Sequence, residues 1–438
     1  MKRRRLSSAQ LILLSFLAVI LLGTALLCLP FASHSGTPCA FTDALFTATS
    51  ATCVTGLIVF DTATHWTLFG KLVLICLIQI GGMGVVTVAG LLISLSGKKI
   101  GIFERSTLQQ AISAPRLDGL LSNVRRIVRA AFLFELVGAL CLLPSFCAEF
   151  GLTGIPMALF HSVSAFCNAG FDLMGSKAPF SSLTSYAGNG IVNTVIMLLI
   201  LIGGIGFTTW ADVRKHGLRL RRYSAQSKLI LVTSLLLIVL PSAYFYFAEL
   251  TDLSGAERLF ASLFQSVTMR TAGFNTVELD RFSETGRVLM ILLMLIGGAS
   301  GSTAGGMKLT TVAILAVAAF SVFRQRKQTA VFGRRIPEEL IKQSAAIFFL
   351  YIAFALLGAA VISRLEELPY LTCLFETASA AATVGVSLGI TPALCTLSKL
   401  ILIFLMFFGR LGGLTLIFAA FSDDRCTASF PQETMSIG

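Results

Sequence analysis

The chain has 438 residues, 55% of them hydrophobic and only 13% charged, with a mean hydropathy of +0.84. Soluble globular domains carry roughly 25% charged residues, so this composition excludes one and predicts a polytopic membrane protein. The formal net charge of +12 reads as membrane topology and contact with anionic lipid, not as a nucleic-acid surface, because the basic residues gather in alternate connections.

The N-terminus, residues 1–8, carries Lys2-Arg3-Arg4-Arg5. The apolar run of 9–31 follows. It is long for the h-region of a signal peptide and is expected to stay as the first membrane helix. Next comes "ALFTATSATCVTGL" (Ala44–Leu57), then a second apolar run over 69–95. This helix, short stretch and helix make up a first unit, 9–95. A basic loop, 96–126, leads into a second unit, 127–211. Its apolar runs, 127–148 and 188–211, flank "ALFHSVSAFCNAGF" (Ala158–Phe171).

After the basic loop 212–228, a third unit spans 229–322. Its runs, 229–249 and 286–322, flank "SLFQSVTMRTAGF" (Ser262–Phe274). The basic loop 323–340 precedes a fourth unit, 341–421. There the runs 341–363 and 397–421 flank "CLFETASAAATVGV" (Cys373–Val386). Residues 422–438 form a tail. The positive-inside rule puts the basic loops and both termini in the cytoplasm.

The four short stretches are one motif repeated. Each starts with Leu-Phe and ends in a small residue, a glycine and an apolar residue; the glycines are Gly56, Gly170, Gly273 and Gly385. Each stretch supplies about 10 helical residues, or ~15 Å, too short to span the membrane. Each is therefore expected to be a re-entrant half-helix entering from the outer side. Thr42-Asp43, Pro156, a Ser254–Glu257 capping box and Pro369 mark the four starts.

The C-terminal dipole ends then point to the membrane centre. Irregular backbone at that depth must line a cavity or be buried in protein. The expected fold is an all-α membrane protein of four tandem helix–pore-loop–helix repeats. Eight membrane-spanning helices and four half-helices would form a pseudo-fourfold ring around one pore. Glycines at positive φ would turn carbonyls toward the axis, where they replace a cation's hydration shell. The candidate filter is Thr52, Cys53, Val54, Thr55 and Gly56; Cys167, Asn168, Ala169 and Gly170; Thr271, Ala272 and Gly273; and Thr383, Val384 and Gly385. Asp43, Asp61, Asp172, Glu257, Asp280 and Glu376 are candidates to concentrate cations at the outer mouth, with solvated caps and loops an equal alternative.

In the third repeat the second apolar run is interrupted by "GGASGSTAGGMKLTT" (Gly297–Thr311), with five glycines and two serines. Glycine costs about 1 kcal/mol against alanine in a helix. The segment is expected to form an intramembrane gate loop of Gly297, Gly298, Ala299, Ser300, Gly301, Ser302, Thr303, Ala304, Gly305, Gly306 and Lys308, held by few contacts. Gly81-Gly82, Gly203-Gly204 and Gly412-Gly413 are expected to serve close helix packing. Arg410, deep in the last helix, costs at least ~2.5 kcal/mol at a bilayer centre and should face protein or water. It is read as a pore charge that pairs with the gate loop, or else as an ion pair with Glu135.

The four histidines, His34, His65, His161 and His216, are scattered, so no acid–base or metal constellation argues for an enzyme. No nucleotide-binding glycine motif occurs either.

With the four Leu-Phe…Gly loops, "LIQIGGMG", "LILIGGIGF", "GGASGSTAGGMKLTT", "FFGRLGGLT", "SVTMRTAGFNT" and "ERSTLQQAIS", the chain resembles the ion-translocating subunit of the Trk/Ktr/HKT potassium-uptake superfamily, Ktr type. The resemblance implies potassium (K+) uptake across a bacterial inner membrane, with K+ held at the filter carbonyls. It implies a homodimer of pores, often sodium-dependent, with the gate under a cytosolic nucleotide-binding regulatory ring of RCK subunits. The nucleotide would sit on that ring and no cofactor on this chain. A sodium- or proton-coupled symporter of weaker K+/Na+ selectivity is the alternative within the same superfamily.

Overall fold

The computed structural model describes residues 7–95, 107–109 and 120–413. The expected basic N-terminus up to residue 6, most of the loop 96–126, most of "ERSTLQQAIS", the last residues of the fourth repeat and the tail lie outside the described residues.

Almost all regular structure is helical. Four long helices each open one of the four expected units: Ser8–Leu27, Leu120–Phe150, Ala225–Tyr244 and Glu338–Glu366. Each lies within or matches a stretch long and apolar enough to cross a membrane. Their outward faces carry exposed leucines, valines and phenylalanines, among them Leu21, Phe132, Leu236 and Leu357, as expected of a wall in contact with lipid. Ser7 starts the first helix through a capping box with Gln10. Pro241 removes a backbone donor near the end of the third, which closes in a π turn, Phe245–Glu249.

Inside this wall lie four shorter helices: Phe41–Thr52, Gly154–Cys167, Gly255–Thr268 and Tyr370–Ala382. At 1.5 Å per residue the longest reaches only about 21 Å. Their later turns are almost wholly buried. Two expected starts differ. Ala40, not Thr42-Asp43, stands at the first N-cap, and the Ser254 side chain makes no cap hydrogen bond, so the capping box of the third is absent. Membrane burial and tertiary packing carry these helices where the local cap does not.

The second segments of units one, two and four depart from expectation, and that of unit three is interrupted where the sequence indicated. None of the four described second segments is one long continuous helix. Leu68–Met83 breaks at Gly84 before Val85–Leu95. Gly190–Gly204 is followed by Phe207–His216 at a bend of 97°. Glu284–Leu295 and Leu309–Phe323 are separated by Ile296 to Lys308. Thr396–Leu411 ends at Gly412. Gly84, Gly206 and Gly412 share φ values of 86°, 87° and 84°, a conformation other residues rarely adopt. Among the described residues the one sheet is a small antiparallel hairpin between the third and fourth units, Ala330–Val331 with Arg334–Arg335.

The core joins neighbouring units. One apolar cluster spans units one and two, a second joins three and four, and a third closes four onto one through Ile20, Phe46, Cys53, Ala380 and Met406.

Candidate functional site

The four short helices end alike. Two residues before each glycine, the backbone turns left-handed at Val54 (φ 58°), Asn168 (φ 59°), Thr271 (φ 70°) and Thr383 (φ 52°). The glycines follow at φ 94°, 70°, 86° and 91°. Sequence reasoning placed all eight residues in the candidate filter and expected positive φ at the glycines, but not at the residues two before them. Only asparagine among those four tolerates this region readily. The others are β-branched, and their strain is sustained by complete burial.

The glycines lie side by side. A β-carbon built on Gly56 would stand 3.1 Å from the Cα of Gly170, and one on Gly170 would stand 2.8 Å from the Cα of Gly273. One on Gly273 would stand 3.5 Å from the Cα of Gly385, and one on Gly385 would stand 2.8 Å from the Cα of Gly56. The contacts therefore run one, two, three, four and back to one. Any side chain here meets the neighbouring backbone, which explains glycine at all four positions.

Behind this ring, a second level is set by the helix breaks. Gly81 packs on the carbonyl of Thr52, Gly203 on that of Phe166, and Gly409 on that of Ala381. The second helices of units one, two and four thus each present a glycine to the end of their own unit's short helix. The expected small-residue packing holds at Gly81 and Gly203, and Gly409 adds a position the sequence did not single out. The expectation fails at Gly412, where a β-carbon would meet nothing within 4 Å. That glycine ends the helix instead.

In the third unit the break is enlarged into the loop Ile296 to Lys308. The expectation of few contacts is overturned. Its ends pair with each other, Gly297 N–H to Met307 at 2.8 Å and Leu309 N–H to Gly298 at 2.9 Å. Ala299 and Thr303 donate to the carbonyls of Gly204 (2.9 Å) and Gly203 (3.2 Å), and Phe207 donates to Gly301 at 2.7 Å. Gly306 donates to Gly409 at 3.1 Å. The Thr303 hydroxyl donates to Phe166 at 3.0 Å. The Ser302 hydroxyl bonds Ala299 within the loop, and Ser300 meets Thr310. Backbone groups released from a helix inside a membrane must find partners; here the broken ends of units two and four supply them.

The loop also touches the glycine level. A β-carbon on Gly305 would strike the Thr383 side chain, and one on Gly306 would lie 2.6 Å from the carbonyl of Ala382. Both contacts are with the fourth short helix and its left-handed end.

Arg410 occupies the place in the fourth break that Gly82 and Gly204 hold in the first two. It donates to the Thr303 carbonyl at 2.5 Å, to Gly82 at 3.1 Å and also to Gly81. It is thereby tied to the loop and to unit one together. The Glu135 alternative is not realised, since that carboxylate accepts from Gln79 at 2.9 Å. Lys308 folds back onto the loop and donates to Ala304 at 2.8 Å.

The outer acids do not act as one group. Asp43 pairs with Lys399 at 2.8 Å. Asp61 caps Thr62–His65 and accepts from Phe180. Glu376 is fully buried and accepts from Leu388 N–H at 3.0 Å and from the hydroxyls of Ser387 and Thr391. A buried carboxylate with three donors is a brace for the loop after Gly385, which corrects its expected steering role. His161 stands at the same place in the second motif and accepts from Leu173 N–H at 3.3 Å. In both units the braced residue lies three after the glycine. Asp280 remains largely exposed, at 86% of its side chain.

A family model, "Cation transport protein" (TrkH), matches residues 6–426. The chain belongs to that family. It is 37% identical over its whole length to the "Potassium/sodium uptake protein NtpJ" of Enterococcus hirae, covering 98% of that protein. It is 38% identical over 99% of its length to the "Ktr system potassium uptake protein B" of Bacillus subtilis, covering 97% of it. The crystal structure of the "Potassium Transporter TrkH" from Vibrio parahaemolyticus has the same fold, with a TM-score of 0.75 over 95% of this chain and 85% of that one, at 20% identity. This TrkH-family protein is a multi-pass membrane transporter and not an enzyme.

Proposed function

We propose that the chain takes up potassium across the bacterial inner membrane through a filter at the four-glycine ring. The single observation that carries this reading is the cyclic glycine contact, one member from each motif, at the buried C-terminal ends of four short helices. Such ends carry partial negative charge, and rings of backbone carbonyls are a known means of replacing a cation's hydration shell. The pore axis would run through the ring, with four repeats around it. The names of the two relatives favour potassium, and that of the Enterococcus protein adds sodium as a co-transported or permeant ion.

In this reading Ile296 to Lys308 is the gate below the filter. Arg410 is its latch and a fixed charge that opposes cation passage while closed. The loop's hydrogen bonds with units two and four make it a defined closed state rather than a slack segment. A cytosolic ring that binds nucleotide would bias that state, and two copies of this chain would form a homodimer with cytoplasmic termini. The relatives named for a Ktr system support a partner subunit.

The test is cation uptake into proteoliposomes holding the purified chain, with potassium and sodium varied independently. Uptake that prefers potassium and collapses on Gly273→Ser supports the filter. Equal uptake of both ions removes potassium from the assignment. Flux that starts only with a nucleotide-binding partner supports obligatory regulation.

A further inference from the structure

Behind the glycine ring lies a second set of four residues that the family motif does not single out: Ser50, Ser164, Thr268 and Ser379. All four are fully buried in the last turns of the short helices. Each stands six residues before its glycine, or five in the third unit, whose motif is one residue shorter.

Each residue holds the loop twice. Its carbonyl accepts the N–H of the residue before the glycine: Thr55 to Ser50 at 2.8 Å, Ala169 to Ser164 at 2.8 Å, Ala272 to Thr268 at 3.0 Å and Val384 to Ser379 at 2.8 Å. Its hydroxyl makes the second bond, and here the units divide. In units one and four the hydroxyl accepts, from Gly56 N–H at 3.1 Å and from Gly385 N–H at 3.0 Å. In units two and three it donates to the carbonyl after the glycine, Phe171 at 2.7 Å and Phe274 at 2.6 Å.

The division follows the sequence. A buried phenylalanine succeeds the glycine in units two and three, whereas Leu57 and Val386 succeed it in one and four. The carbonyls of Phe171 and Phe274 are tied back to the short helices. Those of Leu57 and Val386 receive no hydrogen bond among the described residues. A ring that is fourfold in its glycines is therefore divided into two sides in its carbonyls, units one and four against units two and three.

We infer that these four hydroxyls are positioning residues for ion selectivity, working as two pairs. Ser50 and Ser379 fix the glycine N–H groups. Ser164 and Thr268 withdraw two of the four outer carbonyls, leaving those of units one and four to face the ion. This rests on the proposed filter. The residues touch the loop backbone and not the ion, so they act through geometry. Losing one buried hydrogen bond shifts an equilibrium by about fivefold, and that is the expected scale of the change.

The experiment compares potassium with sodium uptake in proteoliposomes for two double variants, Ser50→Ala with Ser379→Ala, and Ser164→Ala with Thr268→Val. Alanine favours helix at the serine sites, so assembly should persist. Each double variant loses two such bonds and should lower the potassium-to-sodium ratio by about five- to twenty-five-fold, while Ser50→Thr and Thr268→Ser keep the wild-type ratio. A fall in total uptake at an unchanged ratio would reduce the hydroxyls to a folding role and overturn the assignment. If the alanine variants fail to assemble, Ser50→Cys, a weaker acceptor of similar size, decides: an intermediate ratio supports the pairs and an unchanged one overturns them. A wild type taking up both ions equally would sink the potassium reading and this assignment together. A selective wild type with ratio-neutral variants would sink only the struts.

Discussion

The glycine ring and the helix breaks are both fourfold features of this chain, yet they have diverged to different degrees. At the ring, all four units share a left-handed residue, a glycine two positions on and a hydroxyl clamp. At the breaks, units one and two need only a glycine at positive φ, unit four adds Arg410, and unit three inserts Ile296 to Lys308. A ring proposed to hold one spherical ion would constrain the glycine of every unit alike. A gate needs a single moving part and partners that hold it, so it gains by asymmetry. On the proposed reading, ion chemistry and control would reside at two levels of one architecture, joined where Gly305 and Gly306 pack on the fourth short helix.

That separation can be broken experimentally. The largest effect is expected at the ring itself. Gly385→Ala combines a β-carbon 2.8 Å from the Cα of Gly56 with a φ of 91°. Left-handed backbone alone costs roughly 1–2 kcal/mol in a non-glycine residue, and the clash adds to it. Potassium-selective uptake should fall by more than about tenfold. Normal selectivity in this variant would remove the ring from the pathway.

Deleting Gly298 to Gly305 should act at the other level. Uptake should rise and cease to respond to the regulatory partner, while the potassium-to-sodium ratio stays near wild type. A changed ratio with regulation intact would reverse the two assignments. Arg410→Gln should follow in the same direction but more weakly, because Gly306 to Gly409 and Thr303 to Phe166 still hold the loop. Charge-assisted bonds are worth about 1.5–3 kcal/mol, which sets a ceiling of roughly ten- to somewhat over a hundredfold on the gain in open-state flux. Loss of the protein from the membrane would instead mark Arg410 as a structural tie.

Thr303→Val removes a single neutral bond to Phe166 and should shift gating by about fivefold at most, read as basal uptake without the partner. Smallest of all is Gly412→Ala. No atom lies within 4 Å of the added carbon, so only its φ of 84° is strained, and the helix end has room to relax. Uptake should stay within about threefold of wild type. A collapse comparable to Gly385→Ala would show that the break, and not the ring, limits flux.

Much of this was legible in the chain. Apolar runs separated by basic connections give the long helices, because the bilayer demands length and backbone self-satisfaction. Repetition of Leu-Phe…Gly marks the four short helices, and the density of glycine in Gly297 to Gly306 marks the interruption.

Other features needed the fold. The breaks at Gly84, Gly206 and Gly412 look like ordinary small-residue packing in sequence, since glycine serves helix contacts and helix ends alike. Glu376 and His161 read as an outer acid and an isolated base, and only the return of the loop shows them bracing Leu388 and Leu173. Arg410 has the loop and, as the alternative, Glu135 as partners on paper, and the approach of units one and three decides for the loop. Sequence by itself determined the elements and their fourfold recurrence, because these follow from local pattern and from the solvent. Tertiary structure alone decided which glycines touch and what holds the loop, because those depend on residues roughly a hundred positions apart being brought together, and it decided which hydroxyls donate, because that depends on how each buried loop folds back on its own short helix.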